Sequence, residues 1–215
     1  MTLSAEVRVV MTTAARKLDG HYTWADYRSW PDDERWEIIG GVAYAMSPGP
    51  GSRHQIISMQ LSVGLDRHLK GKPCRVFAAP MDLKLSDEDI VQPDLMIVCE
   101  SAQIRRTHIE GPPRLVVEIV SLHSHLRDRN LKMQLYARSG IAECWIVTPF
   151  PYLVEVFELK DDYYRLWKAF GRADTLRSPA FPDLSLELES VFDFPIEPEE
   201  AEALKVREPP ARYAP

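Results

Sequence analysis

Apolar residues recur along the chain with two periods, and each period predicts one type of element. A helix is predicted over 53–70 and ends at Gly71, because four apolar residues repeat at intervals of four: Ile57, Leu61, Leu65 and Leu69. A second helix is predicted over 124–140, with Leu131 and Leu135 on one face. Two capping boxes are predicted to start helices, Thr23 with Asp26 and Ser52 with Gln55.

Alternating or continuous apolar runs predict strands between and after these helices. One pair of runs flanks Gly40-Gly41 and another flanks residues 160–162, and both patterns are typical of a β-hairpin. Further strands are predicted over five segments: 74–79, 81–85, 93–99, 114–120 and 143–149. The order of elements predicts an α/β fold, with a mixed β-sheet flanked by helices and with N-terminal and C-terminal hairpins.

The same patterns predict one folded domain over residues 21–194. Residues 1–20 show no periodicity and are expected to form a flexible arm, and the charged, proline-rich segment 195–215 is expected to be disordered. No run of about 18 apolar residues occurs, so no membrane segment is expected. Glu6 and Arg8 interrupt the apolar residues near the N-terminus, which argues against a signal peptide.

Charge and cysteine content narrow the functional classes. The 215 residues carry a net charge of −6, so any nucleic-acid contact must rest on a local basic patch or on metal ions. The three cysteines are far apart and form no CxxC pattern. They are expected to be free thiols in the core of a cytoplasmic protein, without a disulfide framework or a structural zinc site.

Two acids stand inside apolar runs where burial is expected. Asp94 lies in "VQPDL", and Glu118 lies in "LVVEIVS" with no turn residue beside it. Asp94 alone could be a turn residue after Pro93. Glu118 is harder to explain in this way, because a lone buried carboxylate costs several kcal/mol unless a cation, an arginine or an open cleft compensates it. Two acids on neighbouring strands could share one Mg²⁺ or Mn²⁺, since carboxylate oxygens are the ligands that these ions take.

The predicted helix after Glu118 offers a third group. Asp128 and Lys132 are four residues apart and therefore lie on one helix face. They could form a solvated surface pair, or Lys132 could point back toward the two acids.

Taken together, these segments resemble the Uma-type family of restriction endonucleases, a branch of the PD-(D/E)XK nuclease superfamily. The resemblance rests on "RWEIIGG", "VQPDL", "LVVEIVS", "DRNLKMQLYARSG" and "ECWIV" in this order. It implies a restriction-endonuclease-like core and a metal-dependent endonuclease that hydrolyses nucleic acid, with DNA as the expected substrate and a homodimer as the expected assembly. Mg²⁺ or Mn²⁺ would be bound by Asp94, Glu118 and the backbone carbonyl of Ile119, with Lys132 as the catalytic lysine.

Two positions depart from the pattern of the superfamily and its relatives. Val120 stands where the superfamily usually has its lysine, and Thr148 stands where relatives often have an acid. Lys132 matches the helical lysine of the related branch. Four residues are auxiliary candidates: Glu37, His54, Gln92 and Asp128. His123 and His125 do not have the spacing of a zinc site.

Two other functions remain open on the sequence alone. The chain could be a catalytically inactive module with a nuclease fold that binds or regulates a partner, or a metal hydrolase that acts on a small phosphoester. The weak overall charge and the Val120 departure favour the inactive module.

Overall fold

The computed structural model describes residues 20–31, 34–46, 51–120, 126–198 and 200–202, and for 126–129 the backbone only. The expected N-terminal arm, except for Gly20, and residues 203–215 of the expected tail lie outside this part. Four α-helices and one short 3₁₀ helix (Ser101–Gln103) have both ends in it, and residues 198 and 200–202 are also helical. The α-helices are α1 (Trp24–Tyr27), α2 (Ser52–Leu69), α3 (Leu126–Arg138) and α4 (Leu188–Val191).

Thirteen strands occur in the described residues. They are β1 (Trp36–Ile39), β2 (Val42–Ala45), β3 (Arg75–Ala78), β4 (Asp82–Lys84), β5 (Ile90–Val91), β6 (Leu95–Val98), β7 (His108–Glu110), β8 (Leu115–Ile119), β9 (Glu143–Thr148), β10 (Leu153–Lys160), β11 (Tyr163–Gly171), β12 (Thr175–Leu176) and β13 (Leu186–Glu187). None of the described helices is long and apolar enough to cross a membrane.

The strands form two larger sheets and one small one. The six-stranded sheet has the order β11-β10-β9-β8-β6-β3, with β8 and β9 parallel and the other pairs antiparallel. The five-stranded sheet has the order β2-β1-β5-β4-β7, with only β4 and β7 parallel, and β12 pairs with β13. The predicted mixed α/β fold with its two hairpins is therefore confirmed, although its strands are divided between two sheets.

Helices α2 and α3 pack on opposite faces of the six-stranded sheet. The α2 residues Ile57, Leu61 and Leu65 share a buried cluster with Leu95 of β6 and Val117 of β8. On the other face, the α3 residues Leu135 and Tyr136 share a cluster with Met96 and Val116. Because side chains alternate along a strand, positions 94 and 118 belong to the α3 face.

The first hairpin and the starts of the helices show which local predictions were right. Gly40 and Gly41 both have positive φ, +58° and +75°, as a tight two-residue hairpin turn requires. The capping box of α1 is confirmed in both directions. The second capping box is wrong, because α2 begins one residue earlier, with Gly51 as its N-cap and no side-chain cap bond.

The cysteine prediction needs one correction. Cys74 and Cys99 form a disulfide, whereas Cys144 forms none and is buried as expected. The register explains the bond: Arg75 of β3 pairs with Val98 of β6, so the next residues outward, Cys74 and Cys99, lie opposite each other. Sequence spacing could not reveal this, because the two residues are 25 apart and meet only through strand pairing.

Candidate active site

The register of β6 against β8 brings the two acids together. Leu95 pairs with Val117, and the next residue outward on each strand is Asp94 and Glu118. The backbone N–H of Ile119 donates a hydrogen bond of 2.7 Å to Oδ2 of Asp94. Asp94 is therefore fixed against the end of β8, on the same face of the sheet as Glu118.

Lys132 reaches the same place from α3. Its Nζ lies 3.0 Å from Oε1 of Glu118 and 2.9 Å from Oε1 of Glu37. All three side chains are less than 15 % exposed. One ammonium therefore bridges a carboxylate of β8 and a carboxylate of β1, which belong to different sheets.

Glu37 is positioned by a hydrogen-bonded network around Gln92. The backbone N–H of Gln92 donates to Oε1 of Glu37 at 2.9 Å. The side-chain amide of Gln92 donates to Asp82 and accepts from Arg35, both at 2.8 Å. The hydroxyl of Tyr27 also donates to Asp82 at 2.8 Å. The auxiliary candidate Gln92 therefore orients Glu37 through its backbone N–H, and its side chain bonds Asp82.

His54 approaches Asp94 from the first turn of α2. Its Nε2 lies 3.0 Å from Oδ1 of Asp94, so the two carboxylate oxygens of Asp94 face different partners. The other ring nitrogen, Nδ1, is buried and has no hydrogen-bond partner within the described structure. Residues from both helices and both large sheets therefore meet at this cluster.

The cluster has an excess of negative charge, and the pKa of Glu118 reflects it. Burial raises the pKa of Glu118 to about 7, and the nearby Asp94 and Glu37 raise it as well, whereas Lys132 and Tyr136 lower it. For Lys132, burial alone would lower the pKa, but the carboxylates of Glu118 and Glu37 outweigh it and raise the pKa well above its usual value. Lys132 is thus held as an ammonium.

Tyr136 is the residue of this cluster that sequence reasoning missed. Its hydroxyl donates a 2.5 Å hydrogen bond to Oε1 of Glu118. Burial raises the pKa of Tyr136 well above its ordinary value, so the hydroxyl keeps its proton and remains a donor. A signal was present, because Tyr136 follows Lys132 by four residues and must share its helix face.

Known proteins share the sequence pattern of this chain. Residues 24–189 match the model of the Uma2 family, whose description is "Putative restriction endonuclease". The chain belongs to this family. It is also 26 % identical over 141 residues to "Uncharacterized protein slr1290" of Synechocystis, a match that covers 64 % of the chain and 74 % of that protein.

A solved structure shows the same fold as this Uma2 chain. It is a "putative nuclease belonging to DUF820" from Anabaena variabilis, 18 % identical, with a TM-score of 0.66. The match covers 79 % of this chain and 97 % of that one. The expected family resemblance and the nuclease-like fold are therefore confirmed.

Three candidate residues of the sequence have side chains outside the described part of the structure. The side chain of Asp128 lies outside the described part of the structure, and so do His123 and His125. Within the described residues, no three side chains among His, Cys, Asp and Glu are arranged to hold one metal ion. In the cluster, Lys132 lies between the carboxylates of Glu37 and Glu118, and Asp94 is held at the end of β8.

Proposed function

We propose that this protein is a divalent-metal-dependent endonuclease that hydrolyses phosphodiester bonds in nucleic acid, with DNA as the expected substrate. The observation that carries the proposal is the convergence of Asp94, Glu118 and Lys132 from β6, β8 and α3. Membership of the Uma2 family supports it. The ammonium 3.0 Å from Glu118 also supports it, because the following helix brings a lysine to Glu118 although position 120 is a valine.

The donor set fits Mg²⁺ or Mn²⁺. The site contains three carboxylates, those of Glu37, Asp94 and Glu118, and the ammonium of Lys132 contacts the first and the last of them. The pKa of Glu118 is raised, so a further positive charge beside it would be favourable. Mg²⁺ keeps several waters and commonly takes only one or two carboxylates, so a ready-made group of three protein ligands is not required.

Asp94 and Glu118 are the proposed metal ligands, with the backbone carbonyl of Ile119 as the third. The N–H and C=O of a strand residue point to the same side, and the N–H of Ile119 points to Asp94. Its carbonyl is therefore directed toward Asp94 as well. A bound divalent ion supplies charge stabilisation for the phosphate oxygens and a lower pKa for a water ligand.

The remaining side chains would orient these groups. Lys132 is placed to neutralise a phosphate oxygen or to orient the attacking water, because its three donors exceed the two carboxylates that it contacts. His54 would fix the rotamer of Asp94, and Tyr136 that of Glu118. The network around Gln92 fixes Glu37.

Cleavage of a supercoiled plasmid in the presence of Mg²⁺ tests the proposal. We expect Asp94→Asn and Glu118→Gln each to lower the cleavage rate by at least about 100-fold, as expected for the loss of a group that stabilises the transition state. The matched control is Glu158→Gln, which removes a partly exposed carboxylate paired with Lys160. Cleavage by Glu118→Gln at the wild-type rate would contradict the mechanism.

A catalytically inactive module, expected as a homodimer, is the second candidate. It is favoured by the position of the Lys132 ammonium, which already pairs with two carboxylates in the cluster. Calorimetric titration with Mn²⁺ separates the two functions. The endonuclease should bind Mn²⁺ with an affinity that Asp94→Asn abolishes, whereas the inactive module should show no such binding. Sedimentation of the full chain tests the homodimer.

A further inference from the structure

Arg53, the residue before His54, is enclosed by the segment that follows α4. Its guanidinium donates to the carbonyl of Pro195 at 2.9 Å and lies 3.5 Å from Glu197, and it also pairs with Oε1 of Glu200. The same group stacks over the ring of Phe194, 5.1 Å from the centroid. Four residues of one short segment thus converge on a single side chain.

Residues 195–202, here called the acidic segment, carry four glutamates among eight residues. The segment starts from a firm anchor, since Phe194 is buried and packs against Tyr152 and Phe192. Beyond this anchor the burial is uneven: the Glu197 side chain is 66 % exposed and that of Glu200 only 16 %. Arg53 thus pairs with one exposed and one largely buried glutamate of the acidic segment.

Arg53 lies beside His54 in the first turn of α2, at the end of the helix that meets the carboxylate cluster. It directly precedes His54, whose ring lies 3.0 Å from Asp94, and adjacent Cα atoms are only about 3.8 Å apart. A nucleic-acid phosphate that enters this cluster of acids needs cations close by, and the net charge of −6 gives no general attraction.

The contacts of Arg53 are those that a phosphate would make. Arginine binds planar or tetrahedral oxyanions through paired N–H donors, and carboxylates and phosphates compete for the same fork. The carboxylates of Glu197 and Glu200 therefore stand in for phosphate oxygens. The pairing also holds the pKa of Glu200 below its ordinary value, so this acid is ionised at neutral pH.

We propose that Arg53 binds a nucleic-acid phosphate next to the cluster, and that the acidic segment occupies Arg53 until nucleic acid displaces it. This inference rests on the proposed nuclease function, and it adds a binding residue and an internal competitor. In the free protein the acidic segment lowers the affinity for nucleic acid. When a phosphate takes its place, Glu197 and Glu200 are released while Phe194 remains buried.

Binding of a fluorescein-labelled DNA duplex to the full chain, measured by anisotropy in EDTA, tests the proposal without turnover. Glu197→Gln with Glu200→Gln should tighten binding about 3- to 10-fold, because the competitor for one phosphate contact is removed. Arg53→Gln should weaken binding several-fold and reduce the salt slope by about 1, as for the loss of one phosphate contact. Thermal unfolding of each variant checks that it folds, and Glu197→Gln alone serves if the double variant does not.

A double-mutant cycle excludes a general charge effect. In the Arg53→Gln background the two glutamate substitutions should change the affinity less than about 2-fold, since their target is gone. The matched control, Asp161→Asn with Asp162→Asn, makes the same charge change in the exposed turn between β10 and β11 and should leave the affinity unchanged.

The outcomes separate this inference from the proposed function. Equal affinities of the wild type and the glutamate variants, or an equal gain in the control, overturn the inference while cleavage by the wild type still supports the nuclease. If no variant binds or cleaves nucleic acid, both fail together. Tighter binding that depends on Arg53 supports the inference even where cleavage is absent.

Discussion

Replacing Lys132 by methionine tests the electrostatics of the cluster directly. The change keeps most of the side-chain volume but removes the ammonium that lies 3.0 Å from Glu118 and 2.9 Å from Glu37. Burial raises the pKa of Glu118 to about 7, and Lys132 lowers it. Without the ammonium, the pKa of Glu118 should rise further above 7.

The sign of the pH dependence follows from this direction. A buried acid with a raised pKa stabilises the folded state fully below its unfolded pKa, and this stability is lost as the pH rises through the folded pKa. For the wild type, the rise from 4.5 to about 7 corresponds to about 3 kcal/mol, at about 1.4 kcal/mol per pH unit, lost between these pH values. Above pH 7, Glu118 no longer makes the free energy of unfolding depend on pH.

In Lys132→Met, the free energy of unfolding should continue to fall above pH 7, by up to about 1.4 kcal/mol per pH unit. The reason is that Glu118 then stays protonated in the folded state but not in the unfolded state. Urea unfolding of both proteins at pH 6, 7, 8 and 9 measures the difference. Lys160→Met is the control, since Lys160 pairs with Glu158 at a partly exposed site and should follow the wild-type curve. Parallel curves for Lys132→Met and wild type above pH 7 would refute this account of Glu118.

Three further changes test other parts of the structure by urea unfolding. Tyr136→Phe should cost about 1–2 kcal/mol at pH 8, because a buried carboxylate loses its donor, and the exposed Tyr163→Phe should cost nothing measurable. Dithiothreitol should lower the free energy of unfolding by about 3–4 kcal/mol, because the bond between Cys74 and Cys99 closes a loop of 25 residues; an unchanged value would argue that the thiols are free. Glu143→Ala should cost about 2–5 kcal/mol, since Glu143 is buried and accepts three hydrogen bonds, and a loss below 1 kcal/mol would contradict that role.

Much of the fold could be predicted because its signals are local. The helix predicted over 53–70 is observed at Ser52–Leu69, and the Gly40-Gly41 turn is where the pattern placed it. The short strands β5 and β7, of two and three residues, carry no pattern of their own. They exist because they pair with distant segments, and these pairings also divide the strands into two sheets.

The candidate site also combines residues that the sequence reveals with contacts that it does not. Asp94 and Glu118 could be found from sequence, because a carboxylate inside an apolar run has to be compensated. Their closeness depends on the β6–β8 register, and the contact of His54 with Asp94 depends on how α2 crosses the sheet. Contacts between side chains far apart in sequence follow from packing, which no local period encodes.

Lys132 and Val120 show how the ammonium in this cluster comes from the helix and not from the strand. Val120 lies two residues after Glu118, hence on the same side of the strand, and packs with the cluster that includes Leu135 and Tyr136 of α3. Helix α3 thus covers the space above Glu118, and apolar packing at position 120 leaves the ammonium to come from the helix itself. If the proposed function is right, the position of Nζ, 3.0 Å from Glu118, matters more than the chain position that supplies it.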